Sequence, residues 1–254
     1  MTNPEHLPDL IISLSRDNVR LQLLGSETAG RDPWTASYPI EALFLEEQLS
    51  KAFDQAMTEN PALIDHFDHV EVVLVDGQNL CVPEQYATED SLSEISGRYL
   101  RNRHGDKLLS DQLTSHAVLA YNFPENILEL IKEYYANAGQ HHLTAIIWNS
   151  IAEQIKDSTS KGKRLFYVLD GKNLIVLGED SGKLSFSKTY YVPQKEDLHY
   201  YIIACHRLMQ PTENWSVTID GQTNHLKLEE VSNVKFHHTL LLDELRTLIA
   251  RHRI

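Results

Sequence analysis

Arg164-Leu-Phe-Tyr-Val-Leu-Asp-Gly-Lys-Asn-Leu-Ile-Val-Leu-Gly-Glu-Asp-Ser-Gly-Lys-Leu184 decides how the rest of the chain is read. It predicts a strand over 164–169, a tight turn at Asp170-Gly171-Lys172, a second strand over 173–177 and a turn over 179–182. A third strand then runs from Leu184 to Val192. Asp-Gly and Ser-Gly at those two positions are the pairs that close short antiparallel hairpins. Acidic Glu196 and Asp197 open a helix that places Leu198, Ile202, Cys205, Leu208 and Met209 on one face, and Pro211 closes it. Trp215–Ile219 reads as a fourth strand, ending at Asp220-Gly221-Gln222. A short polar helical stretch, a strand at 234–236 and a final helix through Leu241, Leu245, Leu248 and Ile249 complete this half.

The same order is found upstream. Asp9–Ser15 and Val19–Leu24 are strand-like runs on either side of Arg16-Asp17-Asn18, and Trp34–Tyr38 is a short third strand after a Gly- and Pro-containing loop. A helix with Leu45, Leu49, Ala52, Phe53, Ala56 and Met57 on one face ends at Asn60-Pro61. The fourth strand, Val70–Val75, stops at Asp76-Gly77-Gln78. A helix starting near Thr88, a strand over 114–123, a helix from Pro124 to Gly139 and a last helix to about Asp157 follow. Asp157-Ser-Thr-Ser-Lys-Gly-Lys163 is the polar linker between the halves. The expected domains are therefore residues 1–158 and 159–254, each a three-stranded meander extended by parallel strands and crossover helices.

Composition sets the outer limits. The chain has 254 residues with 23 basic and 36 acidic side chains, a formal charge of −13, which argues against a broad nucleic-acid surface. Its longest apolar run, Tyr200–Cys205, is far short of the ~20 residues of a membrane-spanning helix. The first residues lack the basic and apolar regions of a signal peptide. Two cysteines, Cys81 and Cys205, form no disulfide framework and suit a reducing, cytoplasmic compartment.

This element order resembles the actin-like ATPase superfamily of actin, the Hsp70 ATPase domain and the sugar kinases. The implied fold class is α/β: a duplicated actin-like (ribonuclease H-like) two-lobe fold, each lobe a mixed sheet with crossover helices. Residues from roughly 9 to 238 also resemble an uncharacterised bacterial domain family, found mainly in Bacteroidetes, of degenerate members of that superfamily. The carrying features are Glu196-Asp197-Leu198-His199-Tyr200-Tyr201-Ile202, His142 at the opening of the last first-lobe helix, and Gly182-Lys183-Leu184. The plan is similar, too, to actin-like scaffolds of type IV pili and type II secretion.

The resemblance implies phosphate-holding hairpin turns built as Asp-x-Gly-Ser/Thr, glycine letting backbone amides approach and aspartate orienting Mg²⁺. Here the first turn carries Ser13 and Ser15 at the expected aspartate and glycine, followed by Arg16 and Asp17. The second keeps Asp170 and Gly171 but continues as Lys172-Asn173, and Asp220-Gly221 retains one glycine of an adenosine loop. Arg16, Asp17, Asp170, Gly171, Asp220 and Gly221 are thus the remnants of a nucleotide cleft. Without a ligand, Asp-Gly pairs are ordinary turns. The expectation is a catalytically inactive protein with no cofactor that binds a protein partner or itself, without nucleic acid or membrane insertion. The alternative is an actin-like ATPase or small-molecule kinase using ATP, Mg and Asp170.

Other patterns carry less. His66/His69, His141/His142 and His237/His238 are pairs, whereas zinc needs three or four converging ligands, so no metal site is expected. Tyr190, Tyr191, Tyr200 and Tyr201 read first as packing and second as a partner surface.

Overall fold

A computed structural model describes residues 8–24, 32–40, 46–65, 67–75, 78–100, 105–114, 116–156, 162–220, 228 and 234–252. The first lobe begins with β1 (Leu10–Ser15), β2 (Asn18–Leu23) and β3 (Trp34–Pro39), an antiparallel meander. Helix α1 (Glu46–Glu59) crosses over to β4 (Val70–Val75), which lies parallel to β1 with Leu10 against Val70 and Ser15 against Val75. The sheet closes with β8 (Gly139–His142), parallel to β4, in the order β3-β2-β1-β4-β8.

The second lobe repeats it. Strands β9 (Lys163–Asp170), β10 (Asn173–Asp180) and β11 (Lys183–Tyr191) form the meander, and α5 (Lys195–Met209) crosses to β12 (Glu213–Ile219). With β13 (His238–Leu242) the order is β11-β10-β9-β12-β13, the same meander-plus-two-parallel arrangement. The fold is the two-lobe actin-like α/β architecture that the element order implies.

An insertion separates the lobes in detail. Strands β5 (Asn79–Pro83), β6 (Asp106–Leu113) and β7 (Ala117–Pro124) form a third, antiparallel sheet, ordered β5-β7-β6, with α2 (Glu89–Tyr99) against it. The apolar run over 114–123 is therefore not the fifth strand of the first-lobe sheet. All eight residues of β7 are buried because strands flank it and helices cover it, which gives it the look of a parallel core strand. The fifth strand is Gly139-Gln-His-His142, and α3 (Glu125–Tyr134) ends before it, so Gly139 begins a strand rather than ending a helix. In the second lobe, the strand expected at 234–236 lies instead at 238–242, and Leu241 belongs to it rather than to the last helix, α6 (Leu245–His252). The linker residues 157–161, Asp76-Gly77 and most of the polar stretch after Asp220 lie outside the described residues.

Helix α4 (Leu143–Ile155) holds the two lobes together. Leu143, Ala145, Ile146, Ile147, Trp148 and Ile151 are each at most 1% exposed, so apolar side chains face outward in nearly every direction. A helix of that kind must be enclosed on all sides. It packs in one core with Ile11 and Val73 of the first sheet, Phe166, Val168 and Ile175 of the second, and Leu248 and Ile249 of α6. His142 is its N-cap, its ring Nδ1 accepting the Thr144 N–H at 3.1 Å. Among the described residues, no helix is long and apolar enough to cross a membrane.

Candidate functional site

The candidate cleft is built from two hairpin tips, one per lobe, at the carboxyl ends of β1 and β9, where open α/β sheets place their ligands. The first tip turns through Arg16-Asp17, neither of which has positive φ. The second turns through Gly171-Lys172 with Gly171 at φ +58°, in open space. That glycine supplies the left-handed first position of a two-residue hairpin turn, so its presence needs no phosphate.

Side chains join the tips across the cleft. The Lys172 ammonium donates to Asp17 Oδ2 at 3.2 Å, and the Tyr191 hydroxyl donates to the same oxygen at 2.9 Å. In the reverse sense, Arg20 of β2 donates to Asp170 Oδ1 at 3.4 Å. The Arg16 guanidinium carbon lies 5.2 Å from the Tyr191 ring centroid, a cation–π distance. Asp17 raises the pKa of Lys172 by accepting its hydrogen bond and by its charge. Tyr191 is raised too, by burial first and then by Asp17. Deeper along the same seam, Ser187 donates to Asn79 Oδ1 at 2.9 Å and the Cys81 thiol faces the Leu184 carbonyl at 3.8 Å.

Four of the six residues singled out from sequence therefore meet here: Arg16, Asp17, Asp170 and Gly171. Asp220 follows the end of β12, beside β9 at the same edge of the sheet; its N–H donates to Leu242 O at 2.9 Å. Gly221 lies outside the described residues. Sequence reasoning missed Arg20, placed Tyr191 in a tyrosine cluster read as packing or partner surface, and treated Lys172 only as a lost glycine. Opposite charges at equivalent hairpins of two matching lobes were the signal that could have paired them.

Chemically, the site is already matched. A phosphate site needs donors aimed at open space, whereas Arg20 and Lys172 each face an aspartate of the opposite lobe. An incoming polyphosphate would meet those two carboxylates as well as three cations, Arg20, Lys172 and the Arg16 that faces the Tyr191 ring. The pairs are part-exposed, with Lys172 56% and Arg20 30% accessible in their side chains. The Asp17–Lys172 pair is worth about 0–1 kcal/mol and sets the charge of the cleft more than its stability, whereas the Asp170 carboxyl of the other pair is only 8% exposed. The tyrosines of the adjoining corner divide: Tyr190 and Tyr201 stack at 4.2 Å, and Tyr200 is 65% exposed.

A family model described as protein of unknown function (DUF3822) matches residues 2–227. The chain belongs to that family. Among solved structures it is similar to a Bacteroides thetaiotaomicron protein with actin-like ATPase fold and unknown function, at TM-score 0.68 and 12% identity over 96% of this chain and 95% of the other. It is also similar to a chain of the PilM–PilN type IV pilus biogenesis complex, at TM-score 0.51 and 10% identity over 95% and 92%. At such identities the likeness concerns the fold. Curated proteins yield no match.

Proposed function

We propose that this chain is an actin-like binding protein without nucleotide hydrolysis, cytoplasmic, and that it acts by holding a protein partner. The observation that carries this reading is the crossed pairing of Asp17 with Lys172 and Arg20 with Asp170. The acid that the kinase or ATPase reading would use, Asp170, is held by an arginine of the opposite lobe, and the first hairpin offers Ser13 where a metal-orienting acid would stand. A solved neighbour of this fold occurs in a complex with another protein, which supports binding as a use of the scaffold. The charge of −13 favours a basic patch on the partner.

Calorimetric titration of the folded protein with Mg·ATP and Mg·ADP tests this. No heat of binding is expected up to millimolar nucleotide. Binding tighter than ~100 μM, roughly −5.5 kcal/mol, would overturn the reading and restore the cleft as a nucleotide site. Asp17→Ala, which releases Lys172 and Tyr191, is expected to change the unfolding free energy by no more than about 1 kcal/mol in a urea titration. A much larger loss would make the crossed pairs a structural clamp instead.

A further inference from the structure

Away from the cleft, three elements distant in sequence bring imidazoles and carboxylates together. Asp111 comes from β6, His141 from β8 and His252 from α6, and one ligand atom of each lies within 4.8 Å of the others. Two imidazole nitrogens converge on the same carboxylate oxygen: His141 Nδ1 is 3.4 Å and His252 Nε2 3.9 Å from Asp111 Oδ1. Neither is a hydrogen bond. His141 Nδ1 is buried with no hydrogen-bond partner, and 3.9 Å is too long for one. The first spacing equals the edge of a tetrahedron around zinc, whose ligands at 2.0–2.1 Å lie about 3.4 Å apart, and the second is longer, so an ion would draw His252 inward.

The surroundings hold that geometry. The His142 backbone N–H donates to Asp111 Oδ2 at 2.6 Å, leaving Oδ1 turned toward the two rings. His141 Nε2 lies at an ion-pair distance of 3.2 Å from Glu71 Oε2, outside hydrogen-bond angles, and a small turn of the ring would align a carboxylate–histidine–metal line with a metal on Nδ1. Glu71 is 1% exposed and packs so closely on Gly139 that a Cβ there would overlap its carboxylate. A cavity of about 520 Å³, lined by His252, Asn149, Gln112 and Thr114, opens on the far side of the His252 ring.

We infer that Asp111, His141 and His252 bind one zinc-like divalent cation, with Glu71 orienting His141, and that the ion ties α6 to the first lobe. Asn149 limits its affinity. Its side-chain nitrogen faces His252 Nδ1 at 2.8 Å and also donates to Gln112 O, while its oxygen accepts the Thr114 N–H. A metal on Nε2 requires a proton on Nδ1 and hence an acceptor at position 149. Asn149→Asp supplies one.

The test titrates Zn²⁺ into chelator-stripped full-length protein, with Co²⁺ absorption reporting coordination. One equivalent is expected with Kd tighter than ~1 μM, together with the intense visible bands of four-coordinate Co²⁺. His252→Gln and Asp111→Asn are expected to weaken binding at least tenfold, and Asn149→Asp to tighten it about tenfold. His252→Gln lies in the last helix and keeps the comparison usable should Asp111→Asn not fold. Absence of binding at 100 μM Zn²⁺ to protein shown folded by circular dichroism, reading ~100 μM as a weak site, would overturn the inference. So would binding that His252→Gln leaves unchanged, which would place the ion on other histidines.

Discussion

Replacing Trp148 by alanine is expected to lower the unfolding free energy by about 3–5 kcal/mol, the cost of truncating a large aromatic in a packed core. Trp148 is fully buried in a core shared by both sheets, with Ile11 and Val73 from the first and Phe166, Val168 and Ile175 from the second. Neither sheet can move inward to fill the gap without leaving its own helices, so the cavity stays open. Total stabilities are commonly 5–15 kcal/mol, so the variant is expected to show a much lower urea midpoint with an unchanged slope. Because the two lobes share this wall, a single transition is expected in both proteins. Trp148→Phe keeps most of the ring volume and should cost distinctly less. A loss under about 1 kcal/mol for Trp148→Ala would fall within the ordinary range for surface positions and would mean that α4 is not the shared core.

Legibility followed how much apolar surface each element carries. The hairpins of both lobes were readable because Val19, Leu21 and Leu23 alternate with polar residues and because Asp170-Gly171 and Ser181-Gly182 mark turns; Ser181 and Gly182 do have φ of 55° and 82°. Gly139-Gln-His-His142 carries no apolar residue at all. As the edge strand of its sheet it needs backbone pairing more than side-chain burial, so periodicity could not find it. Strand β6, Asp-Lys-Leu-Leu-Ser-Asp-Gln-Leu113, is likewise an edge strand with mostly part-exposed residues. Leu241, Leu245 and Leu248 stand at i, i+4 and i+7 and imitate one helical face, although the first of them is an exposed strand residue.

The site obeyed a different rule. Turn residues could be named from their local pattern, but the partners of Asp17 and Asp170 lie some 150 residues away along the chain, and only the stacking of two lobes brings them close. Asp111, His141 and His252 likewise come from three separate elements, β6, β8 and α6, that no local pattern links. Adjacent histidines suggested a pair, whereas strand geometry sends His141 to Asp111 and His142 to the cap of α4.

Breaking the buried ion pair of the second lobe is expected to cost as much as the Trp148 cavity, for an electrostatic reason. Arg164 and Glu179 face each other across β9 and β10, with Nε–Oε2 at 2.6 Å and side chains 4% and 1% exposed. The second carboxylate oxygen accepts the Gly182 N–H, so Glu179 also fixes the β10–β11 turn. Glu179→Ala removes the carboxylate while the guanidinium stays buried, and a loss of about 3–5 kcal/mol is expected. Substituting both partners by apolar residues of similar volume, Arg164→Met with Glu179→Leu, removes both charges of the pair. That double variant is expected to recover most of the loss, short by about 1 kcal/mol for the Gly182 N–H that loses its acceptor. Measured by urea unfolding, the two substitutions must therefore be strongly non-additive. Additive losses would mean that Arg164 finds water or another anion when Glu179 is gone, and that the pair is not desolvated. Arg164 and Asp170 lie near opposite ends of β9, about 20 Å apart at the usual rise of a strand. The nucleotide titration should thus read the same in the double variant as in the parent, which separates what keeps this lobe folded from what occupies its cleft.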